Sequence, residues 1–122
     1  MRIRVWLAAM ALIFVAISAV AQVDAPPPPV DIAPRIDITY KNAHPPLYPM
    51  EAVRKHHQGM VVLDVTIDSS GRVLTVGVER SSGYLELDQA ARDAAAGWRY
   101  APGIWDDKPA GGVVRVPVTF RL

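Results

Sequence analysis

Apolar and polar positions alternate with a period of two in three stretches of the chain, residues 61–67, 72–81 and 113–122. This period is typical of a β-strand that buries one face. Between the first two stretches lies the turn sequence Asp68-Ser69-Ser70-Gly71, in which glycine is free to take a positive φ angle. The pattern therefore predicts a β-hairpin followed by one later strand. The first strand of the hairpin is predicted to bury Val61, Leu63, Val65 and Ile67. The second strand is predicted to bury Leu74, Val76 and Val78.

Between the hairpin and the final strand, apolar side chains recur at helical spacing, i, i+3, i+4, i+7 and i+11. This spacing predicts an amphipathic helix from Leu87 to Gly97 whose apolar face lies on the sheet. Aromatic residues in phase with such a face are usually part of the core, so Trp98 is interpreted as a core residue. The side chains that define the face are Leu87, Ala90, Ala91, Ala94 and Trp98.

A shorter helix is predicted before the hairpin, from Pro49 to His57. Proline is favoured at the first helical position, Glu51 complements the positive helix end, and Gly59 follows the last turn. Residues 103–112 are rich in glycine, proline and aspartate and are predicted to be a loop. The order helix, strand, strand, helix, strand predicts an α+β fold in which a small three-stranded antiparallel sheet carries both helices on one face.

The final alternating stretch indicates which strand lies at an edge of the sheet. Pro117 falls within it and has no backbone N–H, so this strand is expected at the edge. Arginine side chains beside an open edge either meet acidic groups of a partner or block aggregation, and both interpretations remain open. The predicted buried face carries Val114, Val116, Val118, Phe120 and Leu122, and the other face carries Arg115, Thr119 and Arg121.

The chain before the predicted domain divides into two segments. Residues 1–21 contain two arginines and an apolar run, which predicts either an export signal cleaved after Ala21 or an uncleaved membrane anchor. Both interpretations place the rest of the chain in the periplasm. Residues 22–45 are a proline-rich spacer, expected to be extended, with a weak strand pattern at residues 36–40. The folded domain is therefore expected at residues 46–122.

Charge and motifs exclude several classes of function. A formal net charge of +1 provides no concentrated basic face for nucleic acid. The chain has no cysteine, which removes thiolate metal sites and thiol nucleophiles. The spacing of the histidines does not fit a metal site; they are His44, His56 and His57. The chain also lacks the Gly-x-Ser-x-Gly nucleophile elbow and an ordered general base for a serine nucleophile. Ser81 and Ser82 are therefore interpreted as turn and capping groups. No catalytic residue, metal site or cofactor is expected.

Residues 46–122 resemble the C-terminal domain of TonB. No single element is specific, but several motifs occur together at compatible spacings. In chain order they are Tyr48-Pro49, Gly59 with the valines after it, the turn from Asp68 to Val73 that contains Gly71, Ser81-Ser82-Gly83, Leu87-Asp88, Trp98-Arg99-Tyr100-Ala101-Pro102-Gly103, and Val116-Pro117-Val118-Thr119-Phe120.

The resemblance implies a location, a ligand and a mode of binding. In this family the domain is periplasmic and binds a short extended peptide, the TonB box, of outer-membrane TonB-dependent receptors. The peptide adds as a strand beside the last strand of the domain, where backbone groups of an unpaired edge supply the affinity. The positions at which the resemblance implies contact are Val113, Val114, Arg115, Val116, Thr119 and Arg121.

Two departures from the family pattern leave a second function open. Energy-transducing members carry an anchor with a histidine-containing face that engages ExbB and ExbD, followed by a long linker. Here the apolar segment has no histidine and the spacer is short. The alternative is therefore a stand-alone periplasmic interaction or scaffold module without energy coupling. An open sheet edge also permits two copies to form a homodimer by pairing or exchange of this strand, and the sequence leaves the oligomeric state open.

Overall fold

The computed structural model describes residues 31–122, and the predictions for residues 1–21 and for the proline run after them lie outside this part. No helix in the described part is both long and apolar enough to cross a membrane. In chain order the elements are β1 (Arg35–Ile36), α1 (Ile38–Ala43), α2 (Met50–Arg54), β2 (Gly59–Ile67), β3 (Val73–Arg80), α3 (Leu85–Ala96), β4 (Tyr100–Ala101), β5 (Gly103–Trp105), β6 (Lys108–Ala110) and β7 (Gly112–Phe120).

The central sheet contains three antiparallel strands in the order β3-β2-β7. A tight turn joins β2 to β3, in which the Asp68 carboxylate accepts the N–H groups of Ser70 and Arg72, both at 2.9 Å. Gly71 takes a φ angle of 87° there, which favours glycine. The predicted hairpin and the predicted edge position of the last strand are confirmed.

Helices α2 and α3 pack on one face of this sheet, with Ala52 of α2 and Leu87, Ala91 and Ala95 of α3 fully buried. The small alanine side chains let the helices lie close to the strands. Trp98 is also buried, at 5% exposure. The predicted α+β fold and the core position of this tryptophan are therefore confirmed. The strands contribute the buried residues Val61, Leu63, Val65, Ile67, Val114, Val116, Val118 and Phe120.

The predicted burial along β3 is wrong at two of its three positions. Leu74 is 60% exposed and Val78 is 37% exposed, whereas Val76 packs against the core together with Val73. The pairing with β2 skips Leu74, because Val73 and Thr75 face consecutive residues of β2. Such a β-bulge adds one residue to a strand and takes Leu74 out of the alternation. Val78 lies opposite Leu63, on the same face as Val76, but β3 is an edge strand, so this side chain is only partly covered.

Helix α2 is shorter than the predicted helix from Pro49 to His57. Pro49 is the N-cap residue in an extended conformation, and not the first helical residue. At the other end, Lys55 is the C-cap and His56 has a φ angle of 55°, in the left-handed region that a right-handed helix cannot include. The helix therefore ends well before Gly59, which begins β2.

Residues 35–43, which the sequence assigns to the spacer, form β1 and α1. The weak strand pattern at residues 36–40 is wrong beyond Ile36, because Asp37 caps a helix by accepting the N–H of Tyr40 at 3.0 Å. The N–H of Asp37 donates to the Arg99 carbonyl at 2.8 Å, and β1 pairs with β4. These contacts hold the segment against the chain that follows α3.

Residues 103–112, predicted to be a loop, contain the β5-β6 hairpin. Asp106 and Asp107 connect its strands, with φ angles of 51° and 61°. Two successive positive φ angles define a type I′ turn, whose twist matches that of the flanking strands. Aspartate tolerates this conformation better than most residues, but it lacks the strong turn preference of an Asp-Gly pair.

Replacing Asp107 by glycine is expected to raise the free energy of unfolding by about 0.5 kcal/mol, because glycine adopts the left-handed region without steric strain. Urea denaturation followed by circular dichroism measures the change. The same substitution at Asp93, on the exposed side of α3, is the control and is expected to lower the free energy of unfolding by about 0.3–0.5 kcal/mol, because aspartate is already a poor helix former. A loss of stability in Asp107→Gly would contradict the assigned turn.

Candidate functional site

Strand β7 has a free edge, the side that faces away from β2, and Pro117 shows which backbone groups point to it. Pro117 has no N–H, and its carbonyl oxygen accepts a hydrogen bond from Lys41 Nζ at 2.9 Å, so this carbonyl points away from β2. Backbone groups of alternate residues point the same way along an antiparallel strand. Those of Val113, Arg115 and Thr119 therefore also face the free side, where no strand of the described part pairs with them.

The six candidate contact positions divide into three groups by their place on β7. Val113, Arg115 and Thr119 have exposed side chains and backbone groups on the free side. Val114 and Val116 are buried in the core, with their backbone groups directed to β2. Arg121 is exposed and follows the last residue of the strand. Only the first group presents its backbone to the free edge.

The C-terminal end of β7 is fixed by aromatic packing and two hydrogen bonds. The Tyr48 ring packs edge-on against Phe120 with centroids 5.3 Å apart, and its hydroxyl donates to the His57 carbonyl. The N–H of Leu122 donates to Gln58 Oε1 at 2.9 Å. Leu122 is itself 54% exposed, which corrects its predicted place on the buried face, because β7 ends at Phe120.

The charged side chains of β7 and its surroundings lie in different places. The Lys41 ammonium lies on the free edge at the Pro117 carbonyl, whereas Arg115 Nε lies 3.3 Å from Asp64 Oδ1 on β2, so the Arg115 side chain extends over the sheet face. The side chains of this ion pair are 65% and 34% exposed, so the pair contributes little to stability. The charge on the free edge is therefore that of Lys41, and the Arg115 charge is partly neutralised by Asp64.

Most of the other motif residues have structural roles. A Cβ atom on Gly59 would lie 3.1 Å from the Ser82 carbonyl oxygen, and one on Gly71 would lie 2.7 Å from that of Tyr100. The Tyr100 hydroxyl donates to the Ala95 carbonyl at 2.7 Å, and burial raises the pKa of this tyrosine to about 12. The motif residues at caps, turns or packed positions also include Pro49, Gly83, Leu87, Trp98, Pro102 and Phe120.

Asp88 is a buried carboxylate at the start of α3 and the centre of a hydrogen-bond network. Its Oδ1 accepts the N–H and the hydroxyl of Ser82, at 2.9 and 2.7 Å, and its Oδ2 accepts the Ser81 hydroxyl. Burial alone raises the pKa of Asp88, but these hydrogen bonds outweigh burial and hold the pKa below its ordinary value. The serines are thus turn groups, as predicted, but neither caps α3, whose N-cap is Tyr84 without a side-chain hydrogen bond. Serine-rich turn residues before an acidic first helical turn are the sequence signal for this network.

Two of the three histidines, His44 and His57, also have local structural partners. His44 stacks on Tyr40 with ring centroids 3.9 Å apart. His57 stacks on Tyr84, and its Nδ1 lies 2.5 Å from Glu86 Oε1, a contact that lowers the pKa of the glutamate. Within residues 31–122, no three or more of the histidine, aspartate and glutamate side chains are grouped as a metal site.

The described residues thus form a small α+β domain whose three-stranded sheet ends in a strand with a free edge. Residues 44–122 match the family model for the C-terminal domain of the Gram-negative bacterial TonB protein. The chain therefore belongs to the TonB C-terminal family, as its motifs predict.

Several TonB proteins are similar to this chain. Protein TonB of Xanthomonas campestris pv. campestris is 48% identical over 92 residues, which cover 75% of this chain and 41% of that protein. Protein tonB2 of Pseudomonas aeruginosa is 37% identical over 73% of this chain and 33% of its own length. Protein TonB of Neisseria gonorrhoeae is 39% identical over 63% of this chain and 25% of its own length. The chain thus spans less than half the length of these relatives.

Proposed function

We propose that this chain binds the TonB-box peptide of an outer-membrane transporter by strand addition to β7, as a step in TonB-dependent transport. The observation that carries the proposal is the free edge of β7, with outward backbone groups at four positions and side chains of the alternate residues packed in the core. Membership of the TonB family supports a transport-related role and favours this function over a stand-alone scaffold.

In the proposed complex, the added strand pairs with the outward backbone groups of β7. Val113, Arg115 and Thr119 each offer one N–H and one carbonyl, whereas Pro117 offers a carbonyl alone. Each backbone hydrogen bond contributes about 0.5–1.5 kcal/mol net, so a few such bonds give moderate affinity with little demand on peptide sequence. The buried side chains of Val114 and Val116 act by holding β7 rigid against the core.

The arginine side chains of β7 and of the residue after it favour a peptide that carries negative charge. Arg115 and Arg121 are both exposed, and charges at the rim of an interface mainly raise the association rate. Screening by salt reduces this effect, because the side chains are in contact with solvent.

The proposal implies that the domain works in the periplasm, where the N-terminal segments of outer-membrane transporters are accessible. Contacts with ExbB and ExbD would involve residues 1–21, which lie outside the described part, so these partners stay a prediction. Pairing of two copies through the same edge would compete with the peptide and would show as binding that weakens at high protein concentration.

The Thr119→Pro variant tests strand addition, because it removes an outward N–H and leaves the hydrogen bonds between β7 and β2 in place. We expect about tenfold weaker binding of a short synthetic TonB-box peptide, measured by fluorescence anisotropy, with an unchanged circular dichroism spectrum. Thr119→Val, which keeps the N–H, is the matched control and is expected to bind as the wild type does. Equal binding by both variants would rule out backbone pairing at this position.

A further inference from the structure

We propose that residues 34–46, termed the strap, cover the free edge of β7 and that Lys41 holds the strap closed until a peptide strand displaces it. The inference rests on the proposed function, since it concerns access to the same edge. It assigns a regulatory role to a segment that the sequence places in the spacer.

The strap runs beside β7 in the same direction from one end to the other. At its start, Pro34 lies so near Gly112 that a Cβ atom on the glycine would come within 2.8 Å of the proline ring. In its middle, Lys41 reaches Pro117. At its end, Pro45 and Pro46 lie across a narrow slot from the last residues of β7. The contact at Gly112 lies on the core-facing side of β7, the side that carries Val114, and the contacts at Lys41 and at the two prolines lie along the later half of its free side.

The Lys41 ammonium occupies the acceptor that an incoming strand would use. Its Nζ donates to the Pro117 carbonyl at 2.9 Å and lies 5.6 Å from the centre of the Trp98 ring. Paired strands are separated by about 4.8 Å, so a strand cannot pair with β7 at this position while the ammonium is there. Pro117 has no N–H, which makes this carbonyl its only backbone group for pairing.

The strap is fastened at its ends and only lightly held in its middle. Asp37 N–H donates to the Arg99 carbonyl at 2.8 Å, and the Trp98 indole donates to the His44 carbonyl at 2.7 Å. Between these points lies α1, six residues long and without a fully buried side chain. So short a helix has little stability of its own. Its release requires the loss of the Lys41 hydrogen bond and of the Tyr40 ring's contacts with the core and with Arg99, whose Cζ lies 4.5 Å from the ring centre.

The strap covers the edge without completing the sheet. The slot beside it has a volume of about 370 Å³ and lies between Asn42, Pro45 and Pro46 on one side and residues 117–119 on the other. The two prolines have no N–H to donate, so this wall cannot form a ladder with β7. The unused backbone groups thus remain available to a peptide once Lys41 moves away.

Lys41→Met in the full chain tests whether the Lys41 ammonium holds the strap closed, a role termed the latch. Methionine keeps the apolar stem over Trp98 and removes the ammonium. We expect about fivefold tighter binding of the synthetic TonB-box peptide by fluorescence anisotropy, the change that follows from losing one partly exposed charge-assisted hydrogen bond. Lys55→Met removes an equal charge from α2, where Lys55 pairs with Glu51 at 2.9 Å, and is expected to bind as the wild type does. Equal or weaker binding by Lys41→Met would overturn the latch.

A measurement without peptide separates the failure of the latch from the failure of the proposed function. Amide hydrogen exchange in residues 38–43 is expected to be faster in Lys41→Met than in the wild type and in Lys55→Met. If no variant binds the peptide, strand addition is wrong, and the exchange rates alone decide whether Lys41 holds the strap. Unchanged exchange in that case would overturn the latch as well.

Discussion

Leu63→Ala is expected to lower the free energy of unfolding by about 3–5 kcal/mol, whereas Leu74→Ala is expected to lower it by less than about 1 kcal/mol. Leu63 is fully buried in the middle strand and faces Val78 on one side and Val116 on the other. Truncation there removes apolar contacts and leaves a cavity that rigid neighbouring strands cannot close. A domain of this size has a total stability of about 5–10 kcal/mol, so the first variant approaches unfolding.

The two leucine variants form a matched pair, because the same atoms are removed from two strands of one hairpin. Urea denaturation followed by far-UV circular dichroism gives the midpoint and the slope for each. The expected result is a large shift of the midpoint for Leu63→Ala and a small one for Leu74→Ala at equal slope. Comparable losses would show that Leu74 is buried, and the bulge assigned in β3 would then be wrong.

The parts of the fold that followed from the sequence are those with uninterrupted patterns. In β2 and β7 the alternation continues without a break, so the buried positions from Val61 to Ile67 and from Val114 to Phe120 were predicted residue by residue. Helix α3 was predicted from its apolar spacing and Pro117 marked the edge strand. In these elements the local pattern and the tertiary packing require the same residues on the same face.

The prediction failed where pairing with a distant segment decides the local structure. The bulge that exposes Leu74 depends on how β3 aligns with β2, and the period-two pattern of β3 alone does not contain that information. Helix α1 depends on the Asp37 cap and on docking to the chain after α3. The Asp106-Asp107 turn has a weaker signature than Asp-Gly, so the strands on either side of it were interpreted as loop.

In the candidate site too, features with a local sequence signal were predictable, and features that depend on distant contacts were not. The edge position of β7 was predictable because proline removes a backbone donor. Lys41 and Pro117 are 76 positions apart, so their contact has no local signal in the sequence, and the pattern around Lys41 predicts a spacer. Which backbone groups of β7 face outward also required the structure, since the side-chain pattern gives the buried face of the strand and not the accessibility of its edge.

Asp88 carries a buried negative charge that three hydrogen bonds and the start of a helix stabilise together. The donors come from Ser81 and Ser82, and the N–H of Asp88 itself bonds the Tyr84 carbonyl at 3.0 Å, within the first turn of α3. Because the folded-state pKa lies below the ordinary value of 3.8, the charged form stabilises the fold. This contribution is complete above about pH 4 and is lost as the pH falls through the lowered pKa.

Asp88→Ala is expected to lower the free energy of unfolding by about 2–4 kcal/mol at neutral pH, because the donors of Ser81 and Ser82 lose a buried charged acceptor. Asp88→Asn keeps the side-chain shape and one oxygen acceptor, so it is expected to lower the free energy of unfolding by about half as much as Asp88→Ala does. Urea denaturation at a series of pH values checks both points. The stability difference between the wild type and Asp88→Ala should shrink as the pH falls below about 4, where the carboxylate becomes protonated. If the stability difference between the wild type and Asp88→Ala stayed constant down to the acid transition, the hydrogen-bond network would not depend on the charge of Asp88. The connection from β3 to α3 would then be stabilised by packing and by uncharged hydrogen bonds.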